Sequence, residues 1–523
     1  MKSFYHKSIQ RLLLVSFLAV GWTCSWAQQV NISDEQGNTL YYTISGDTAI
    51  FSNVSYASSA VGAGELVIAN EVTYNSVTYP VTAIASQACY YDHPLGKVTI
   101  GDNVKYIGNY AFSNCYNLVT VTMGGAVVKI SDYAFNSCSS VQGVDLSGVK
   151  EIGPYAFAHF GGNQISMPDV EVLGKDAFYD CDNLQTVQLS DKLTVIPEEC
   201  FYNCKSLTTV TGGENLTEIG SSAFANSAIT SFDFRDKITT VRRYAFSNCT
   251  GLSSISGTSA IVSLEYGVFY NCKCLAGEQE FPAITSLEQY AFYYCNELKG
   301  VTFGDNLTSL PTYCFYNCPK LEYVHLSAGM VQVANYPFYG VNSIKNVYFP
   351  GTAMPTFSGY LGLPNTTLLY VDKSLRDSYM ANNYTKGYRI LDYGATYVYA
   401  ATLTSAGTLR TTVAAAGIDP ANLIELSVDG PINGTDIDFL HGNLPALKKL
   451  DLSKATIVNG GDSYHRWNVA TNGAATKNTS YAYNTENDIV GDYMFYNMPI
   501  LEKLVLPQNV TRIGKYAVAN CPK

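Results

Sequence analysis

The strongest constraint on this chain is a recurrence. A phenylalanine returns at Phe112, Phe135, Phe157, Phe178, Phe201, Phe224, Phe246, Phe269, Phe292, Phe315 and Phe338, at intervals of 21 to 23 residues. Cys89 holds the same place one period earlier, and Phe495 and Val518 hold it in a second block. Around it the stretch Tyr110-Ala111-Phe112-Ser113-Asn114-Cys115 repeats with small variations. A period in the low twenties implies a solenoid, in which one supersecondary unit forms each turn and buries its apolar side only against its neighbours.

Good copies of the unit run from Leu118 to Cys138, Leu184 to Cys204 and Leu298 to Cys318. In the last, Val301 and Phe303 alternate with polar positions, the mark of a strand with one buried face. Gly304-Asp305-Asn306 is turn chemistry, Leu307 to Leu310 is a second short extended piece, and Pro311 to Tyr316 makes a tight bend or a helical turn. The phenylalanines are expected to form an internal column. The recurring asparagines (Asn114, Asn203, Asn248, Asn271, Asn317) are expected to bond backbone groups at the bend through their amides. Tyrosine recurs two places before the phenylalanine and one place after it, so most of the 41 tyrosines are read as stacking residues.

The array extends over residues 76–349. Residues 28–75 alternate apolar and polar positions between Gly and Asn breaks, which reads as an N-terminal β cap. After Phe349 the period fails, and 350–394, with a strand at Leu368 to Val371 and a short helix near Ser374 to Tyr379, reads as a C-terminal cap. Residues 395–523 read as a second domain of the same kind. There Gly430 to Asp436 forms a turn with Thr435 or Asp436 capping a helix, and 459–488 is an insertion. Because this domain stops mid-unit at Lys523, it is expected to be truncated. Residues 1–27 carry Lys2, Lys7 and Arg11, an apolar run from Leu12 to Trp22, and Ser25-Trp26-Ala27, the form of a cleaved secretory signal.

Loss of those three cations takes the formal charge from −11 to −14. With no basic cluster, nucleic acid is excluded as a partner. No later stretch has the eighteen or so apolar residues of a membrane-spanning helix. The charged fraction is only 14%, so the surface is largely hydroxyl and amide, suited to protein or carbohydrate.

The Tyr-Ala-Phe-x-Asn-Cys units, the segment around Leu369-Tyr370-Val371, and Leu426-Ser427-Val428-Asp429-Gly430-Pro431-Ile432-Asn433-Gly434-Thr435-Asp436 resemble the BspA-like leucine-rich-repeat family of bacterial surface proteins. The resemblance implies a leucine-rich-repeat solenoid of the α/β type, with mostly short strands, about 23 residues per repeat, and two arrays. It also implies a secreted or outer-surface protein of a gram-negative bacterium that adheres to host extracellular-matrix proteins or other cells. The family has no catalytic motif to carry over, and its usual C-terminal sorting segment is missing from this sequence.

Catalytic chemistry finds no support among the residues. The five histidines after the signal, His93, His159, His325, His441 and His465, are scattered, and neither a nucleophile elbow nor a zinc-binding H-E-x-x-H is present. Nine cysteines share one phase of the repeat, where neighbouring turns lie about 4.8 Å apart. Disulfide Cβ atoms need about 3.5 to 4.5 Å. The column is therefore read as buried free thiols acting as small apolar residues. The pairs Cys200/Cys204 and Cys314/Cys318 lack a histidine for zinc, and Asn484, Glu486, Asp488 and Asp492 lack calcium-loop spacing. No cofactor and no metal are expected.

Recognition is then expected on the strand surface. Pairs such as Thr120 and Thr122, or Lys299 and Thr302, are small or solvated. Toward the array's end they become aromatic, and Tyr323, His325, Lys345 and Tyr348 are the candidate ligand-binding residues. The expected function is non-enzymatic adhesion to a host or bacterial surface protein, or glycan binding. The alternative is a structural or carrier module, or a glycan-capture protein of a surface uptake system.

Overall fold

A computed structural model describes residues 27–57, 64–394, 397–469 and 475–521. The signal-sequence reading therefore lies outside the described residues, apart from Ala27. The chain divides into two compact units, one ending at Lys192 and one beginning at Leu193. Each is built of stacked parallel turns.

The first unit opens with an antiparallel meander of Gln28–Ser33, Thr39–Ser45 and Thr48–Ser55. Its inward alternation places Leu40, Tyr42 and Ile44 in the core. Thr48–Ser55 then pairs in parallel with Val77–Ile84, so the meander covers the first turn and hands over to the solenoid. From there two-residue strands stack in register, Tyr106–Ile107, Lys129–Ile130, Glu151–Ile152 and Val172–Leu173. In each, the second residue is buried.

The bend explains the motif. Tyr110 and Asn114 have φ of 58° and 63°, a left-handed conformation that asparagine tolerates and tyrosine does not favour. Between these two left-handed residues, successive N–H groups point in alternate directions. Those of Tyr110, Phe112 and Asn114 donate to the carbonyls of Asp132, Ala134 and Asn136 on the next turn, at 3.0, 2.8 and 2.8 Å. Those of Ala111, Ser113 and Cys115 close tight turns within the unit, on Gly108, Tyr110 and Phe112. Every amide of the bend is thus satisfied without a helix. The phenylalanine rings stack at 5.1 to 5.4 Å from Phe112 through Phe178.

The second unit repeats this construction, with Phe201 through Phe338 stacked at 5.3 to 5.8 Å. Two expectations about the bend are corrected. The asparagine amides bond one another rather than the backbone where they recur in sequence: Asn248 donates to Asn226 at 3.0 Å and Asn271 to Asn248 at 2.8 Å. The thiols are also donors and not merely apolar filler. Cys272 Sγ reaches the Phe246 carbonyl at 3.1 Å, and Cys318 that of Phe292 at 3.0 Å, equivalent to Cys138 on Phe112 in the first unit.

A six-stranded parallel sheet closes the array, Gly277–Phe281, Leu298–Phe303, Tyr323–His325, Asn346–Phe349, Leu368–Val371 and Arg389–Asp392. Helix Arg376–Ala381 follows the fifth strand and buries Tyr379 against Phe349 and Phe357. Residues 397–521 add the parallel strands Val398–Thr402, Glu425–Ile432, Lys449–Ile457 and Lys503–Val505. Helix Gly434–Asn443 is capped by Asn433, not by Thr435 or Asp436. Asp436 instead accepts the N–H of Asn433, Gly407 and Leu409 from a fully buried position, because a carboxylate at the third helical position reaches back to the cap. Within the insertion, Tyr464–Val469 and Ala475–Tyr483 form an antiparallel hairpin.

This block seats on the last strand of the array's sheet. Asn422 exchanges two hydrogen bonds of 2.9 Å with Asp392, and Arg376 bridges Asp419 and Asp392 at 2.5 and 3.6 Å. Leu368, Tyr370 and Leu391, outward-facing on the sheet, are buried with Ala446 and packed by Tyr397 and Ile424.

Candidate ligand-binding face

Two surfaces of the solenoid carry aromatic residues, and their geometry separates them. Along the bend, Tyr110, Tyr133 and Tyr155 stack at 4.6 and 4.7 Å with planes 5° and 6° apart. In the second unit Tyr270, Tyr293, Tyr316 and Tyr339 do the same at 4.6, 4.7 and 5.4 Å. The first ladder joins tyrosines in left-handed places, and both ladders use the ring faces on one another. Only edges and hydroxyls remain for a ligand. Burial raises the phenols of Tyr133 and Tyr316; Tyr293 is pushed up to about 12, by desolvation first and by the neighbouring phenols Tyr270, Tyr294 and Tyr316 after it.

The second surface is the outward face of the six-stranded sheet. Register puts Glu278, Gly300, Tyr323, Asn346 and Leu368 in one row and Glu280, Thr302, His325, Tyr348 and Tyr370 in the next. Tyr323 lies across Gly300, where any side chain would run into its ring carbons, and its phenol comes within hydrogen-bonding reach of the Glu278 carboxylate. Desolvation, followed by that carboxylate, pushes the phenol up to about 12. His325 stacks on Tyr348 at 3.8 Å and 9°, and Tyr348 on Tyr370 at 4.6 Å. Burial lowers the imidazole, keeping it neutral near pH 7. The face therefore descends from exposed carboxylates, over a low spot at Thr302, to half-buried rings, and ends where the 397–521 block covers Tyr370.

Of the four candidates read from sequence, Tyr323, His325 and Tyr348 come together on this face. Lys345 does not join the rings; its ammonium is held by Glu322 at 3.1 Å at the entrance of the strand. Lys299 is exposed, as expected, but it falls at a register shift beside Gly277 and Glu278 and so belongs to neither row. Sequence reading missed Glu278 and Glu280. Their signal was the alternation Glu278, Gln279, Glu280, Phe281, whose second and fourth positions are buried.

The other candidate chemistry is structural. Cys314 and Cys318 are buried, free thiols, and burial pushes Cys318 up to about 12. Among the described residues no group of His, Cys, Asp or Glu is placed to hold a metal ion. Asp488 and Asp492 instead serve Asn509 and the Lys515 amide. No helix among the described residues is long and apolar enough to cross a membrane.

A model of the BspA type leucine rich repeat region matches in six copies over residues 82–169, 171–282, 274–361 and 474–523. No curated protein matches the chain. Among solved structures, a leucine-rich repeat protein from Bacteroides ovatus is 19% identical over 65% of this chain and 100% of that one, with a TM-score of 0.41. A leucine rich cell surface protein from Faecalibacterium prausnitzii is 21% identical, covering 81% and 94%, with a TM-score of 0.40. The pneumococcal vaccine antigen PcpA is 16% identical, covering 80% and 93%, with a TM-score of 0.33.

Proposed function

This chain belongs to the BspA-type leucine-rich-repeat family, and from that premise we propose that it is an exported, non-enzymatic cell-surface protein of a gram-negative bacterium that adheres to host matrix proteins or to other cells. The observation that carries the binding role is the face at Tyr323, His325 and Tyr348. Here Tyr323 meets His325 edge-on at 82°, His325 stacks on Tyr348, and two exposed carboxylates border the rings. A rigid aromatic surface with a polar margin is the composition of a protein-binding hot spot. The N-terminal cations followed by an apolar run support export.

The mature chain, added to immobilised extracellular-matrix proteins, tests this. Binding to at least one that falls tenfold or more in the double variant Tyr323→Ala, His325→Ala, with the melting transition preserved, is the expected outcome. Unchanged binding by that variant removes the face from the function.

A further inference from the structure

The glutamates that border this face differ in whether a cation meets them. Glu297 and Glu322 each meet a lysine one turn on, Lys320 and Lys345. Glu278 and Glu280, exposed on the neighbouring strand, have no cationic partner among the described residues. Asn346 adds an acceptor of the same sign: its Oδ1 is enclosed beside the rings without a donor. His325 supplies no cation near pH 7, because burial lowers its pKa. One face of its ring is covered by Tyr348, which leaves the other looking back over Thr302 toward Glu280. Thr302 is a low point between a carboxylate and an open aromatic face.

We propose that the partner bound here is a protein segment that places a lysine or arginine side chain over Thr302, between Glu280 and His325, within reach of Glu278. This rests on the face being the binding surface, and it names the chemistry that surface selects. The cation finds carboxylates on one side and a ring on the other, so both Coulomb attraction and cation–π contact favour it. From the Thr302 strand to the Tyr348 strand is two strand spacings, about 10 Å. An extended segment rising about 3.3 Å per residue covers that in about three residues, so the partner carries its basic residue about three positions from an apolar or aromatic one that rests on Tyr348. The formal charge of −11 acts in the same direction by drawing basic partners to the surface.

The test uses the full mature chain and two immobilised synthetic copolymers, poly(Lys,Tyr) and poly(Glu,Tyr), at 150 mM salt. The chain is expected to bind the first and not the second. The pair Glu278→Gln, Glu280→Gln is expected to weaken binding tenfold or more. Glu35→Gln with Glu71→Gln, which removes the same charge from exposed positions of the first unit, is expected to weaken it less than twofold. Tyr323→Ala with His325→Ala should weaken it as strongly as the glutamate pair. If the aromatic pair weakens binding while the glutamate pair matches the control, the face binds without a cation and the inference is overturned although the face stands. If neither pair exceeds the control, the face itself is wrong, and the inference falls with it. Equal binding to both copolymers overturns the inference too.

Discussion

The bend and the sheet face are made by the same turns, yet they put aromatic rings to opposite uses. At the bend, identical residues recur one turn apart, so each ring, amide and thiol finds its own equivalent as a neighbour. Phenylalanine stacks on phenylalanine, tyrosine on tyrosine, and Asn271 donates to Asn248. Repetition satisfies these groups and leaves little for a partner. On the face between Gly277–Phe281 and Asn346–Phe349 the outward residues change at every strand, so Glu280, Thr302, His325 and Tyr348 meet unlike neighbours. Beside its rings the variable surface keeps two exposed glutamates with no cationic partner among the described residues.

Breaking the bend should therefore cost stability and leave recognition chemistry intact. The largest effect is expected for Phe246→Ala. The ring is fully buried between Phe224 and Phe269 and also touches Phe232 and Phe234, so its loss should cost about 3 to 5 kcal/mol. Chemical denaturation would show this as a lowered midpoint or a second transition, and an unchanged curve would contradict the column. A smaller loss, about 1 kcal/mol, is expected for Cys272→Val, which removes the Sγ donor from the Phe246 carbonyl. That carbonyl keeps the Cys249 amide at 3.1 Å, which limits the cost. Cys272→Ser retains a donor and should lose less than the valine variant; the reverse order would restore the view of the thiol as apolar filler.

The tyrosine ladder gives a third test, through pH. A phenol whose folded pKa is raised contributes stability that is intact below the unfolded value near 10 and is lost as pH climbs through the folded value. Tyr293, pushed up to about 12 by desolvation and by its neighbouring phenols, places that loss between about pH 10 and 12. Circular dichroism melts over this range should fall in temperature, and Tyr293→Phe should make the fall shallower. An identical slope in the variant would mean that the ladder does not hold its protons in common.

These contrasts also mark what the sequence could reveal. The 21- to 23-residue recurrence was enough for the solenoid and the phenylalanine column, because a period is a property of spacing alone. It could not show that tyrosines two places before a phenylalanine, such as Tyr110 and Tyr133, sit at a positive φ, since tyrosine is a poor choice there. Nor could it show the thiol hydrogen bond, which links Cys272 to a backbone carbonyl 26 positions earlier. On the face, Tyr323, His325 and Tyr348 were legible from the rise in aromatic content along the strands. Glu278 and Glu280 were not singled out, because the bulge beside Gly277 shifts the register by which outward positions are counted. The Asp392–Asn422 lock that seats the 397–521 block lies between residues 30 apart with no repeat relation, and no periodic argument reaches it.

The smallest effect is expected at Lys345, and it sharpens the comparison most finely. Its ammonium pairs with Glu322 at 3.1 Å, and both side chains are about half exposed. An exposed pair of this kind contributes about 0 to 1 kcal/mol, and salt screens it further. Lys345→Ala should therefore leave the denaturation midpoint nearly unchanged. Because the ammonium is engaged at the strand entrance, apart from the stacked rings, the variant should also bind matrix protein within about twofold of the parent, where Tyr323→Ala with His325→Ala loses tenfold. A large loss of binding in Lys345→Ala would extend the face to a cation and turn the preference toward acidic partners, opposite to the one that Glu278 and Glu280 favour. Tighter binding would carry the opposite meaning: Glu322, released from its lysine, would join the carboxylates that border the rings.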